Sequence, residues 1–266
     1  MITVRQVLNI LESRAPLNLA ESWDNVGLLI GSYEAPVDKI FLCLDVNDLV
    51  IDQAISCGAN LIISHHPLYT KTLTRLTEDD HLGRIAWRLA SNKISYIAMH
   101  TNLDSAVDGV NDTLIKKLNL PKIVSKTPIW PNKDTPELGL GAFLKFKEAM
   151  PIEALQKAVS TAFPGSSYVE PFYNAPKLVN TFAICSGGGF VLADDIYGKA
   201  DVFMTGDITY HKAQTAQNKG LALIIAHHYD TEVIILDNLE KWLAETKLPI
   251  VHVDKDHRLR ITNALE

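Results

Sequence analysis

Residues 40–66, IFLCLDVNDLVIDQAISCGANLIISHH, and residues 202–228, VFMTGDITYHKAQTAQNKGLALIIAHH, repeat one another. Shifted by 162 residues with no gap, they share 9 identities in 27 positions. Phe41 falls on Phe203, Asp45 on Asp207, Ala54 on Ala216 and Gly58 on Gly220. Leu61-Ile62-Ile63 falls on Leu223-Ile224-Ile225, and His65-His66 on His227-His228. Each copy opens with a short apolar run of the kind that forms a buried strand. A helical stretch follows, closed by a glycine where a helix C-cap belongs. A second apolar run then ends in two histidines. Apolar strands resemble one another by chance, but paired histidines at the same offset argue for two halves of common topology. Such halves present equivalent strand ends to one shared cleft.

Working outward, residues 3–13 read as an amphipathic helix, followed by a loop, LNLAESWDNVGLLIG, rich in turn formers. Strands are expected at 40–46, 60–64 and 94–99, with helices at 48–57, 81–91 and 108–118. Residues 120–137 hold four of the twelve prolines and no clear period, and read as a crossing into the second half. That half shows strands at 140–146, 178–186, 201–206 and 221–226 and helices at 151–162, 190–198 and 209–218. A helix at 231–245 and a strand at 249–254 finish the chain. Strands alternating with helices predict an α/β fold with largely parallel sheets. We therefore expect two α/β halves of similar topology with a shared cleft between them. The first domain is expected over 1–125 plus about 230–266, and the second over 126–229.

Composition narrows the function. Apolar residues make 47% and charged residues 21% of the chain, close to the soluble average, which excludes fibrous and disordered classes. The 31 acidic against 25 basic residues give a net charge of −6, so nucleic-acid binding is disfavoured. Cys43, Cys57 and Cys185 are far apart and odd in number, and they read as buried free thiols in a reducing compartment. Val4, Val7, Leu8 and Leu11 make a helical stripe rather than a signal-peptide core. The apolar runs fall well short of the roughly 20 residues a membrane span needs. A soluble cytoplasmic protein with no membrane partner is the expectation.

Three strand ends carry the chemistry. In an open α/β sheet, ligands bind outside the carboxyl ends of the strands. At the first, Ser64-His65-His66-Pro67, the proline keeps His66 extended, so the adjacent rings point to opposite faces. They suit two metals side by side better than one, although a lone pair of histidines can simply cap a strand. At the second, His100-Thr101-Asn102-Leu103-Asp104, Asp104 offers a hard oxygen ligand. His100 is either a ligand or a donor that orients one. At the third, His228-Tyr229-Asp230-Thr231-Glu232, a helix is expected to begin near Asp230 or Thr231, placing Glu232 in its first turn. Three imidazoles and two carboxylates without a cysteine favour Zn, Mn, Fe, Co or Ni over a thiolate-bound structural zinc. Five ligands exceed what one catalytic zinc takes and fit two ions bridged by a carboxylate. Glu232 and His100 are the expected catalytic groups of a metal-dependent hydrolase acting on a nucleotide-like or phosphate-bearing substrate. The alternative is a non-catalytic metal-binding scaffold or regulatory partner protein.

Other residues carry weaker signals. Trp23, Asp24 and Asn25 either line the cleft mouth or form a turn packed by one aromatic. Asp45 and Asp207 end equivalent strands, and helix capping is favoured over supporting a ligand. His211 can face the metals as a proton carrier or lie outside. Gly187-Gly188-Gly189 reads as a turn, since the full GxGxxG spacing of an anion cradle is absent.

The series WDNVGLLIG (23–31), SHHP (64–67), HTNLD (100–104), TGD (205–207) and HYDTE (228–232) resembles the dinuclear-metal family of Ngg-interacting-factor-like proteins, many of them labelled homologues of GTP cyclohydrolase I type 2. The resemblance spans nearly the whole chain and matches the family's short form. It implies two α/β domains around a two-metal site, often within a ring-shaped homohexamer. By motif, His65, His66, Asp104, His228 and Glu232 match the family's metal ligands, with Glu232 bridging. His227 departs from the pattern, standing where the family usually has glycine, and leaves the choice between His227 and His228 open.

Overall fold

The computed structural model describes residues 1–70, 72–165, 167–169 and 176–253. The chain opens with α1 (Val4–Arg14), whose Thr3 hydroxyl accepts from Gln6 N while the Gln6 side chain accepts from Thr3 N. This reciprocal cap satisfies two donors that helix geometry leaves unpaired. The first sheet is built from β1 (Gly27–Ile30), β2 (Ile40–Cys43), α2 (Asp48–Cys57), β3 (Leu61–Ser64), α3 (His81–Ser91) and β4 (Ser95–Ala98). Two short helices follow, α4 (Thr101–Ser105) and α5 (Val110–Leu118). The second sheet uses β5 (Ile123–Pro131), β6 (Gly139–Pro151), α6 (Ile152–Ala162), β7 (Ser167–Val169) and β8 (Leu178–Ile184). It continues through α7 (Ala193–Ile196), β9 (Val202–Thr205), α8 (Tyr210–Asn218), β10 (Ala222–Ala226) and α9 (His228–Glu232). The chain then returns to the first sheet with α10 (Leu236–Leu243) and β11 (Ile250–His252).

The first sheet runs β1-β4-β3-β2-β11, parallel except where β1 meets β4. The second runs β5-β6-β8-β9-β10-β7 and is parallel only at β8–β9 and β9–β10. The expectation of largely parallel sheets therefore holds for the first half and is corrected for the second, which is mixed. The repeated unit is real: β2–α2–β3 and β9–α8–β10 are each a parallel pair joined by a helix. Gly58 and Gly220 close their helices at φ 74° and 77°, a left-handed conformation that costs glycine little. Outside the unit the halves diverge, since β3 is flanked by parallel β4 and β10 by antiparallel β7.

Half of the crossing expected at 120–137 is in fact β5, an edge strand paired with β6. Pro128 and Pro131 donate no hydrogen bonds, so only an edge tolerates them, and the run of exposed residues Val124–Thr127, with no alternation, hides the strand in the sequence. β1 lies within what reads as a loop. The helix expected at 190–198 is a 3-10 turn, Gly189–Leu192, followed by one turn of α7. The helix expected from 231 starts at His228 instead. Of the expected strand at 249–254, residues 250–252 are strand, and residues 254–266 lie outside the described residues.

Burial follows the pleat. On β8 and β9, Phe182, Ile184, Val202 and Met204 pack to one face, and Ala183 and Phe203 to the other, so both faces of the second sheet are covered. The first sheet's core includes Ile235, Leu236, Leu239 and Leu243, which α10 and the turn before it bring back from the C-terminal part of the chain. Cys43 and Cys185 are buried free thiols as expected; Cys57 is free but only half-buried. Among the described residues no helix is long and apolar enough to cross a membrane. Ile62, fully buried in central β3, tests this core. Ile62→Ala should lower the unfolding free energy by roughly 2–5 kcal/mol in urea titration, while exposed Val124→Ala should stay within about 0.5 kcal/mol of the parent.

Candidate metal centre

The first strand end is pinned from below. Tyr96, buried in β4, donates its hydroxyl to His66 O at 2.9 Å and accepts from Leu68 N at 2.9 Å. Ser64 Oγ also reaches His66 O, at 2.6 Å. These bonds hold the turn in which His65 and His66 diverge, with ring centroids 4.9 Å apart. His65 is fully buried and donates Nδ1–H to Met99 O at 2.9 Å. Its Nε2 faces Asp104 Oδ1 at 3.7 Å and Glu232 Oε1 at 3.8 Å. His66 takes the other side, 3.0 Å from Glu232 Oε2.

α9 supplies the rest. It is a single turn, and His228 and Glu232 stand four residues apart on its inner face. His228 Nε2 lies 3.0 Å from Glu232 Oε2 and 3.2 Å from His66 Nε2. His227 stands at the N-cap position without a side-chain bond to the turn and is exposed. The choice the sequence left open falls on His228. Asp104 comes from α4, where Asn111 of α5 donates to its backbone oxygen and accepts from Ser186 N across the two halves.

Two groups of side chains could each hold a metal ion, His66–His228–Glu232 and His65–Asp104–Glu232, and a third brings His100 beside His65 and His66. Glu232 belongs to two of them, one oxygen toward each. The donor chemistry fits a cation. Nδ1 of His66 donates to Asp45 Oδ1 at 2.8 Å, and Nδ1 of His228 to Asp207 Oδ2 at 2.6 Å. With Nδ1 committed, both Nε2 atoms are left to face each other and a carboxylate oxygen. His65 Nε2 and Glu232 Oε2 are buried without a hydrogen-bond partner, a costly arrangement for polar atoms unless a positive charge sits among them.

The electrostatics say the same. Burial opposes charge on His66, yet its bond to Asp45 and its contact with Glu232 push the imidazole up to about 10. His228 is likewise pushed up to about 10 against burial, through Asp207 and Glu232. Burial would raise Glu232, but the three imidazoles hold it well below the carboxylate range. Asp104 is raised, chiefly by burial. The protein's own groups thus need extra positive charge, from protons or from a metal that displaces them.

His100 hangs at the edge of this cluster, its ring centroid 5.2 Å from that of His65 and 5.6 Å from that of His66. Its Nδ1 donates to Asp24 Oδ1 at 2.9 Å. Asp24 is wholly buried at its side chain and also accepts from Thr101 N and Thr101 Oγ1. Burial resists its charge, but the bonds from His100 and Thr101 prevail and bring the carboxyl down to about 2.

All five sequence-derived ligand candidates and His100 therefore converge. His211 does not: it is exposed and its ring meets Tyr210. Asp45 and Asp207 overturn the capping expectation, because Asn47 caps α2 and α8 has no side-chain cap; both bind imidazoles instead. Asp24 anchors His100, and Trp23 stands beside it, edge-on at 6.1 Å. Two glycines matter more than the sequence shows, Gly187, which reads only as part of a turn, and Gly206, to which it gives no role of its own. A Cβ on Gly187 (φ +55°) would lie 1.8 Å from Glu232 Oε1, and one on Gly206 would lie 2.6 Å from Gly187 O and 2.7 Å from His228 Cα. The TGD and GGG triplets were the available signals.

Comparison with known proteins places this arrangement. A family model described as Duf34/NIF3 (NGG1p interacting factor 3) matches residues 2–257. A GTP cyclohydrolase 1 type 2 homolog of Clostridium acetobutylicum is 35% identical over 234 residues, covering 87% of this chain and 85% of that protein. NIF3-like protein 1 of Drosophila melanogaster is 34% identical over 260 residues, covering 94% and 86%. Among solved structures, reduced HcgD from Methanocaldococcus jannaschii superposes with a TM-score of 0.81 at 27% identity, over 95% of this chain and 98% of that one. With the match running through every strand end that carries a cluster residue, the chain belongs to the NIF3 family.

Proposed function

We propose that the cluster holds two divalent metal ions and that the protein is a metal-dependent hydrolase of a nucleotide-like or phosphate-bearing substrate. The observation that carries this reading is the buried Glu232 carboxylate, with Oε1 toward His65 and Oε2 toward His66 and His228. In it, His65, Asp104 and Glu232 hold one ion, and His66, His228 and Glu232 the other. Zn, Mn, Fe, Co and Ni all suit such a nitrogen and oxygen donor set. Bound there, a metal pair supplies Lewis acidity and lowers the pKa of water toward neutrality. The protein's own part is to fix the donors and to move a proton. With Nδ1 donating to Asp24, the other nitrogen of His100 is free to take a proton beside the cluster or return one to a leaving group. The names of the curated relatives point to a guanine nucleotide as the first substrate to try.

The family description, an interacting factor, favours a second reading, a non-catalytic metal-binding scaffold. A homo-oligomer, as a ring-shaped hexamer, and a cytoplasmic location are part of the proposal; the three free cysteines support a reducing compartment. Light scattering of the purified chain checks the assembly.

Elemental analysis of protein purified without added metal should give close to two ions per chain, and Glu232→Ala should lose at least one of them. Across a panel of esters, phosphoesters and cyclic amides, Glu232→Ala and His66→Ala should each reduce metal-dependent turnover by about 100-fold or more, given that removing a ligand's supporting partner alone costs 10–100-fold. Full metal occupancy with no turnover anywhere in the panel would select the scaffold. His100→Ala should keep the metal and lower turnover by roughly 10²–10⁴-fold; loss of metal in that variant would make His100 a ligand instead.

A further inference from the structure

The repeat places one Asp–His pair in each half. Asp45 and His66 shifted by 162 residues become Asp207 and His228, and both pairs make the same bond, carboxylate to Nδ1, across 21 residues of chain. Their free nitrogens meet at 3.2 Å, each 3.0 Å from the same Glu232 oxygen. Among the described residues nothing comparable surrounds His65. Its Nδ1 is held by a neutral backbone carbonyl, its neighbour Asp104 comes from the first half, and its counterpart in the repeat, His227, is exposed and belongs to none of the three metal-holding groups.

We infer that Asp45 and Asp207 are a matched pair of positioning residues, one from each half, that commit His66 and His228 to a single ion shared across the cleft. The ion beside His65 and Asp104 is built without them. The inference rests on the two-ion reading above and adds that the two positions are unlike in construction. A carboxylate on Nδ1 fixes the tautomer, orients the ring and makes Nε2 a better donor. Because Asp45 and Asp207 are themselves 48% and 61% exposed, they can be changed without opening a hole in the core.

The test is a calorimetric titration of the full-length, chelator-stripped protein with Zn2+, in the parent, in Asp45→Asn, in Asp207→Asn and in the distant control Asp194→Asn, 90% exposed on α7. Each of the first two variants should weaken one of two binding steps by about 10–100-fold and leave the other in place. The control should match the parent in both steps. The visible spectrum of the Co2+ form, which reports ligand geometry, should change in Asp45→Asn and Asp207→Asn alike and not in Asp194→Asn. Unaltered melting of the metal-free variants separates this from unfolding. If the parent binds two ions and either variant binds both as tightly, or weakens both steps equally, the role given to Asp45 and Asp207 is overturned while the two-ion reading stands. A parent that takes up no Zn2+ overturns the two-ion reading and this inference with it.

Discussion

A carboxylate buried among imidazoles is the constraint on which the rest of this structure depends. Glu232 is 4% exposed and touches His65, His66 and His228. An isolated charge in such a place is costly, so everything around it must deliver positive charge or tolerate its presence. Three strand ends and two helical turns do so, from both sheets. The outer nitrogens are each given an acceptor, Met99 O, Asp45 or Asp207, so that the inner ones face the carboxylate. The same logic extends to His100, whose outer nitrogen is bound by a buried aspartate.

Fitting a single helical turn against two strand ends leaves no room for side chains between them. Gly187 and Gly206 are where that crowding shows, with backbone or carboxylate atoms occupying the space that a Cβ would need. Gly187 N donates to Thr231 Oγ1 at 3.1 Å, tying the turn after β8 to α9. These contacts let α9 bring a histidine and a glutamate to a site whose other donors follow β3 and β4 of the first sheet.

Much of this was legible in the sequence because it was periodic or local. The buried strands β2, β3, β4, β9 and β10 are continuous apolar runs, and the helices α2, α5 and α8 begin and end close to where their patterns do. The ligand candidates were visible because each stands in a short polar segment that begins where such a run ends. What escaped has common physical causes. β5 is an exposed edge strand with prolines, so neither hydrophobicity nor propensity marks it. Asp45 and Asp207 look like helix-start residues, and only the distance to an imidazole 21 residues away distinguishes support from capping. The roles of Asp24, Gly187 and Gly206 depend on contacts across 76, 45 and 22 residues of chain, to His100, Glu232 and His228, which no local pattern encodes.

The path of the chain has a consequence for its birth. The core of the first sheet is closed by Leu236, Leu239 and Leu243 and its edge by β11, all added after the second sheet has been made. Glu232 arrives only just before them. A growing chain therefore carries His65, His66 and Asp104 through the making of the whole second sheet without the carboxylate that completes their setting. The first half cannot mature ahead of the second, and such long-range closure slows folding. Assembly of the cluster is in this way postponed until the strands of the second sheet are in hand, a built-in order in which the scaffold precedes its chemistry.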